Sequence, residues 1–137
     1  MAASCSDCHR FAGTGKAFGP TLDGVGKRFS RADLLEAIIH PSRAIPETYA
    51  TVSVTMKSGD IFAGRLLSRD PEGIFLAENP FDPEKVTRLE AVAIEREVPS
   101  PVSPMPPALL NSLNEEELKD LVSYLLSDGN PKDPRFR

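Results

Sequence analysis

Three of the four cysteine and histidine side chains in this 137-residue sequence fall within five positions, as Cys5-Ser6-Asp7-Cys8-His9, and the fourth is His40. Two cysteines three residues apart cannot build a multi-bridge disulfide framework. A structural zinc site draws four ligands from cysteine and histidine, and Cys5, Cys8, His9 and His40 are the whole supply. The contiguous Cys8-His9 pair matches zinc-finger spacing poorly. A thioredoxin-like redox pair wants to follow a strand in a βαβ pattern, and only four residues precede Cys5. The remaining reading of C-x-x-C-H is covalent attachment of a c-type haem. Two thiols with two residues between them can form thioethers to the vinyl groups along one edge of the ring. The next residue then lies under the ring, where an imidazole nitrogen can reach iron.

A haem of this kind is commonly held from both sides, and methionine opposite histidine raises the potential. The sequence offers Met1, Met56, Met105 and the spare His40. Met1 is terminal, and Met56 lies in a β-branched run where a methionine is ordinarily core. Met105 sits in Pro104-Met105-Pro106-Pro107, where fixed proline φ values limit where its sulfur can go. Met105 is therefore the expected second ligand. His40 is the competitor, its plainer role being a charge at a helix C-terminus.

These residues need elements to position them. Five of the nine glycines fall in residues 10–29, which read as a loop wrapping closely around a flat ligand. The phosphate-loop pattern is absent from that stretch. Ser30 with Asp33 predicts a helix start, Leu34, Leu35, Ile38 and Ile39 give its apolar face, and Pro41 ends it. Residues 47–98 change character. β-Branched Tyr49–Met56, the turn Lys57–Asp60, the return Ile61–Ser68, the turn Asp70–Gly73 and the strand Gly73–Ala77 predict a β-meander. Pro80 and Pro83 break it, and Val86–Val98 supplies one or two further strands. A short helix is expected over Ala108–Leu113. The last helix is the clearest element: Asn114 caps it, Glu115, Glu116 and Glu117 favour its positive end, and Leu118, Leu121, Val122, Leu125 and Leu126 form a stripe.

Bulk properties close off other classes. Net charge is −4 and the pI about 5.2, which disfavours electrostatic nucleic-acid binding. No apolar run approaches the roughly 20 residues of a membrane helix. No nucleophile–base pair is readable, so an enzyme is not expected.

The pattern of Cys5-Ser-Asp-Cys8-His9, Gly19-Pro20-Thr-Leu22, Met105 and the helix at 115–127 resembles class I cytochrome c. More narrowly it is similar to haem-binding domains found in planctomycetes, verrucomicrobia and acidobacteria, often as modules of large secreted dehydrogenase-like proteins. Asp33-Leu-Leu-Glu-Ala-Ile, Tyr49-Ala-Thr-Val, Ser103-Pro-Met105-Pro and Glu117-Leu-Lys-Asp-Leu-Val-Ser-Tyr-Leu125 match that family's recurring pieces. The resemblance implies a mainly α, cytochrome c-like core (1–46 and 99–137) with an inserted antiparallel β lobe of four or five strands (47–98). It implies one haem c on Cys5 and Cys8, with His9 and Met105 as iron ligands. It further implies that Gly19 belongs to the haem loop and that the Pro20 carbonyl orients His9. Leu22, Leu109, Leu121 and Leu125 would line the pocket, and Arg28 would pair with a propionate.

Single-electron transfer is the implied role, at a periplasmic or other extracytoplasmic site, with a redox partner or fused dehydrogenase domain and no membrane span. Two alternatives carry weight: a gas-binding sensor if Met105 is labile, and a β lobe that docks a haem domain to its parent. The sequence departs from the family twice. Ninety-six positions separate His9 from Met105, more than in compact members, which the β lobe accounts for. The family also has a helix before the motif that crosses the last helix. Four residues cannot form that helix, so either the sequence is truncated or another element covers that face, and the stripe is then expected to be under-buried, predicting marginal stability or self-association.

Overall fold

The computed structural model describes residues 4–79, 81–82 and 84–136. Met1 and the breaks expected at Pro80 and Pro83 lie outside the described residues. The chain divides into two compact units, Met1–Arg43 with Met105–Arg137, and Ala44–Pro104. Residues 44–46 and 99–104, grouped on sequence with the first unit, go with the second.

In the first unit the helices begin where side chains satisfy orphan backbone donors. Helix α1 (Val25–Arg28) is a single turn after Gly24. Helix α2 (Arg31–Ile39) starts at Ser30, whose Oγ accepts the Asp33 N–H at 3.1 Å, and ends at His40 before Pro41. Helix α3 (Glu115–Leu126) opens on a reciprocal capping box. Asn114 Oδ1 accepts the Glu117 N–H, and Glu117 Oε2 accepts the Asn114 N–H, both at 2.9 Å.

Phe11, Val25, Leu34, Val122 and Leu125 form the core of this unit, with Leu118, Leu121 and Leu126 packed against it. The α3 stripe is therefore not the exposed face that self-association would require. Val122 and Leu125 are only 2% exposed. The cover is α1 together with Phe11, whose ring meets Tyr124 edge-on at 5.1 Å. Gly26 makes the close approach possible, because a Cβ there would stand 2.2 Å from the Leu126 carbonyl oxygen. The expected helix at Ala108–Leu113 is absent. Ala108 adopts a left-handed φ of 66°, and successive turns close through Asn111 N–H to Ala108 O and Leu113 N–H to Leu110 O.

The second unit is a five-stranded antiparallel sheet: β1 (Thr51–Met56), β2 (Ile61–Asp70), β3 (Gly73–Ala77), β4 (Val86–Glu90) and β5 (Ile94–Pro99). Its turns follow local chemistry. Gly59 supplies the positive φ between β1 and β2, and Asp70 Oδ1 accepts the Glu72 and Gly73 N–H groups between β2 and β3. The strand order is β4-β3-β2-β1-β5. A pure meander is thus corrected, since β5 returns to pair with β1, from Val52 opposite Pro99 to Met56 opposite Ile94. Val54, Met56, Ile74, Leu76 and Leu89 form its core. Pairing register puts Arg69 (opposite Ile74) and Glu97 (opposite Val54) on that same face, and they join in a two-pronged ion pair.

The mainly α expectation is overturned. Helix makes up about 28% of the chain and strand about as much. Residues 4–24 contribute loop and tight turns in place of a long helix, while the β-branched middle third yields five strands.

Candidate functional site

The motif sits on one tight turn. Cys5–Asp7 is a 3₁₀ turn, the Cys8 N–H reaches Cys5 O at 3.2 Å, and the His9 N–H reaches the same oxygen at 2.8 Å. Residues three and four apart on such a turn share a face, so Cys5 stands with Cys8 and His9. Cys5 and Cys8 are half-buried and not joined in a disulfide. Burial pushes the Cys5 thiol up, and burial followed by the Asp7 charge pushes the Cys8 thiol up. A dithiol built for exchange has its thiolate favoured, which is the opposite direction.

A second strand of backbone runs beside the motif. The Gly19 N–H donates to Cys8 O at 2.7 Å and the Leu22 N–H to Arg10 O at 2.8 Å. Between them Pro20, which has no N–H, turns its carbonyl to the imidazole. The distance from His9 Nδ1 to Pro20 O is 2.6 Å. A carbonyl oxygen can only accept, so Nδ1 carries a proton, and in the neutral ring the lone pair is then on Nε2. Gly19 leaves room for the ring. A Cβ at position 19 would lie 2.7 Å from His9 Cε1 and 2.9 Å from Nδ1.

His9 opens on a cleft walled by residues from the motif, the loop after it, α2, the 105–110 segment and α3. Cys5, His9, Leu22, Leu34, Ile38, Met105, Leu109, Leu110, Leu121 and Leu125 line it, and all ten belong to the first unit. The walls are almost wholly aliphatic, with one imidazole, one thiol and one thioether as their donor atoms. Of the residues singled out on sequence, Cys5, His9, Leu22, Met105, Leu109, Leu121 and Leu125 are brought together here. Cys8 is not in the lining, and Gly19 and Pro20 support the motif through Cys8 O and the His9 ring. Arg28 is not in the lining. Its Nη2 donates to the Thr21 and Asp23 carbonyls at 2.8 and 3.3 Å, so it braces the loop.

The competing ligands lie elsewhere. Met56 is 8% exposed within the core of the sheet, and His40 is exposed at the end of α2. Among the described residues no three His, Cys, Asp or Glu side chains converge as metal ligands, so the set weighed for zinc is not assembled. Leu34, Ile38 and Leu110 were not anticipated in the lining. Leu34 and Ile38 were legible as the i, i+4 pair of α2's apolar face, whereas Leu110 carries no signal beyond its neighbour Leu109. No helix among the described residues is long and apolar enough to cross a membrane. Neither a protein-family model nor a curated protein matches this chain.

Proposed function

We propose that the chain binds one c-type haem and carries single electrons, as the resemblance to class I cytochrome c implies. The observation that carries this reading is the meeting of His9 and Met105 in one aliphatic cleft beside Cys5. The residues present fit the group. Cys5 and Cys8 would hold one edge of the ring through thioethers, and His9 Nε2 and the Met105 sulfur would bind the iron. When bound, the haem supplies a reversible one-electron couple.

The chain's own residues do the rest. The Nδ1–H donation to Pro20 O fixes the tautomer and orientation of His9 and raises its basicity as a ligand. Leu22, Leu109, Leu121 and Leu125 exclude water from the cleft, which with a thioether ligand favours a higher potential. The prolines flanking Met105 restrict the backbone that presents its sulfur. The redox partner would be a separate protein or a fused dehydrogenase domain, at a periplasmic or other extracytoplasmic site where such haem is attached.

The test is expression with a haem-ligation system, followed by visible spectroscopy. The loaded protein should show the weak long-wavelength absorbance that reports iron–methionine bonding, and Met105→Ala should abolish it. A loaded wild type without that absorbance would remove Met105 as the ligand and favour the gas-binding alternative.

A second reading concerns the sheet. It has a core of its own and none of the expected ligands, which suits a docking module for a parent or partner protein. Electron transfer from that partner, measured with and without competing isolated residues 44–104, tests it.

A further inference from the structure

We infer that Asp23 is a positioning residue for the His9 imidazole, an inference that rests on the reading of His9 as an iron ligand. Asp23 lies three residues beyond Pro20, and its carboxylate makes two bonds. Oδ1 accepts the Ala12 N–H at 2.8 Å and Oδ2 accepts the Thr21 hydroxyl at 3.1 Å. These bonds tie the two backbone runs that hold the His9 ring, one leading out of the motif through Ala12 and the other carrying Pro20. Thr21 Oγ1 also lies 3.3 Å from Arg10 O, next to His9.

Ala12 marks the constraint. Its φ is +50°, a left-handed conformation that alanine rarely adopts and that persists only where the surroundings impose it. Its N–H points at Asp23 in that conformation. On the other side, the Arg28 guanidinium holds the Thr21 and Asp23 carbonyls. The Gly24 N–H donates to Asp128 Oδ1 at 2.8 Å, which pins the far end of the loop to the end of α3. Within this frame the Asp23 carboxylate bridges both runs, and it holds the Thr21 hydroxyl that also reaches Arg10 O. Losing it frees the Pro20 carbonyl to drift and weakens the 2.6 Å bond to Nδ1. A weaker bond makes His9 a less basic ligand, which disfavours the ferric state and raises the potential.

The experiment compares wild type, Asp23→Ala and Asp23→Asn in the full chain. The amide oxygen of Asn can still accept the Ala12 N–H. In the haem-loaded proteins the readouts are the reduction potential and the solvent exchange rate of the His9 Nδ1 proton by NMR. In haem-free chain the readout is the His9 tautomer by ¹⁵N shifts. Asp23→Ala should speed exchange roughly tenfold, the scale of one lost net hydrogen bond, and move the potential positive. Asp23→Asn should restore most of both, and the haem-free tautomer should become mixed only in Asp23→Ala. Unchanged exchange, potential and tautomer in Asp23→Ala would overturn the inference and leave the haem reading intact. Failure of wild type to take haem would overturn that reading, and the tautomer comparison would still decide the role of Asp23. Thermal unfolding of each variant reports whether it folds. If Asp23→Ala does not, Thr21→Val, which removes the hydroxyl partner, replaces it under the same criteria.

Discussion

Replacing Gly19 by alanine isolates how tightly the imidazole is held. The backbone at Gly19 is not left-handed, so alanine adds no φ strain, and in an open site such a change stabilises by about 0.4–1 kcal/mol through the unfolded chain. Here the new methyl would stand 2.7 Å from His9 Cε1, 2.9 Å from Nδ1 and 3.2 Å from Nε2. Ordinary contact begins near 3.4 Å, so the ring must retreat by about 0.7 Å. The ring cannot do so and keep its 2.6 Å bond to Pro20 O. Overpacking costs about 1–3 kcal/mol and the lost bond about 0.5–1.5 kcal/mol. Set against the gain through the unfolded chain, the expected net loss is about 0.5–4 kcal/mol, read as a lowered urea midpoint at unchanged slope. Gly24→Ala is the control. A Cβ at Gly24 meets nothing within 4 Å, so its cost is only the left-handed φ, about 1–2 kcal/mol, with no change at His9. NMR of the His9 ring nitrogens completes the assay. A neutral or stabilised Gly19→Ala that retains the Nδ1 proton would refute the reasoning.

Further outcomes follow from the core of the first unit and the sheet's ion pair. Leu125→Ala, at a position 2% exposed, should cost about 2–5 kcal/mol in denaturant unfolding, since it opens a cavity beneath α3. Glu97→Gln should cost about 0.2–1 kcal/mol, because its partner Arg69 is half exposed and such pairs are screened. The Arg69 hydrogen bonds hold the Glu97 carboxyl below its usual value. The contribution of Glu97 is therefore fully present above its unfolded pKa of about 4.3 and fades as pH falls through the lower folded value. Stability curves of wild type and Glu97→Gln should thus differ at neutral pH and converge in acid. Curves that stay parallel down to low pH would contradict the assignment.

Much of the local structure was legible because local chemistry decides it. Asn114 with Glu117, Ser30 with Asp33, and the turns at Gly59 and Asp70 each act within a few residues, and each element starts or turns where those residues place it. The third strand, Gly73–Ala77, has the bounds its β-branched and turn residues suggest. What was not legible depends on distant partners. The pairing of β5 with β1 is non-local, and nothing in Ile94–Pro99 distinguishes a fifth meander strand from one that returns. Helix α1 is one turn long, too short for periodicity to register. Its role as the cover of α3 depends on Gly26 lying against Leu126. The mainly α expectation came from family likeness, and the composition of residues 47–98 had already argued against it. At the candidate site, the motif, Met105 and four lining leucines were readable. Leu110 and the service of Arg28 and Asp23 as loop braces were not, because each depends on how the loop closes.

The central claim is that Cys5, Cys8, His9 and Met105 hold one haem. Co-expression of the 137-residue chain with a haem-ligation system, followed by intact mass and an alkaline-pyridine spectrum, tests it most directly. The account predicts a mass increase of one haem per chain, a c-type pyridine spectrum, and loss of both in Cys5→Ser/Cys8→Ser. A chain that is folded, carries unmodified thiols and shows no haem absorbance under those conditions would contradict it.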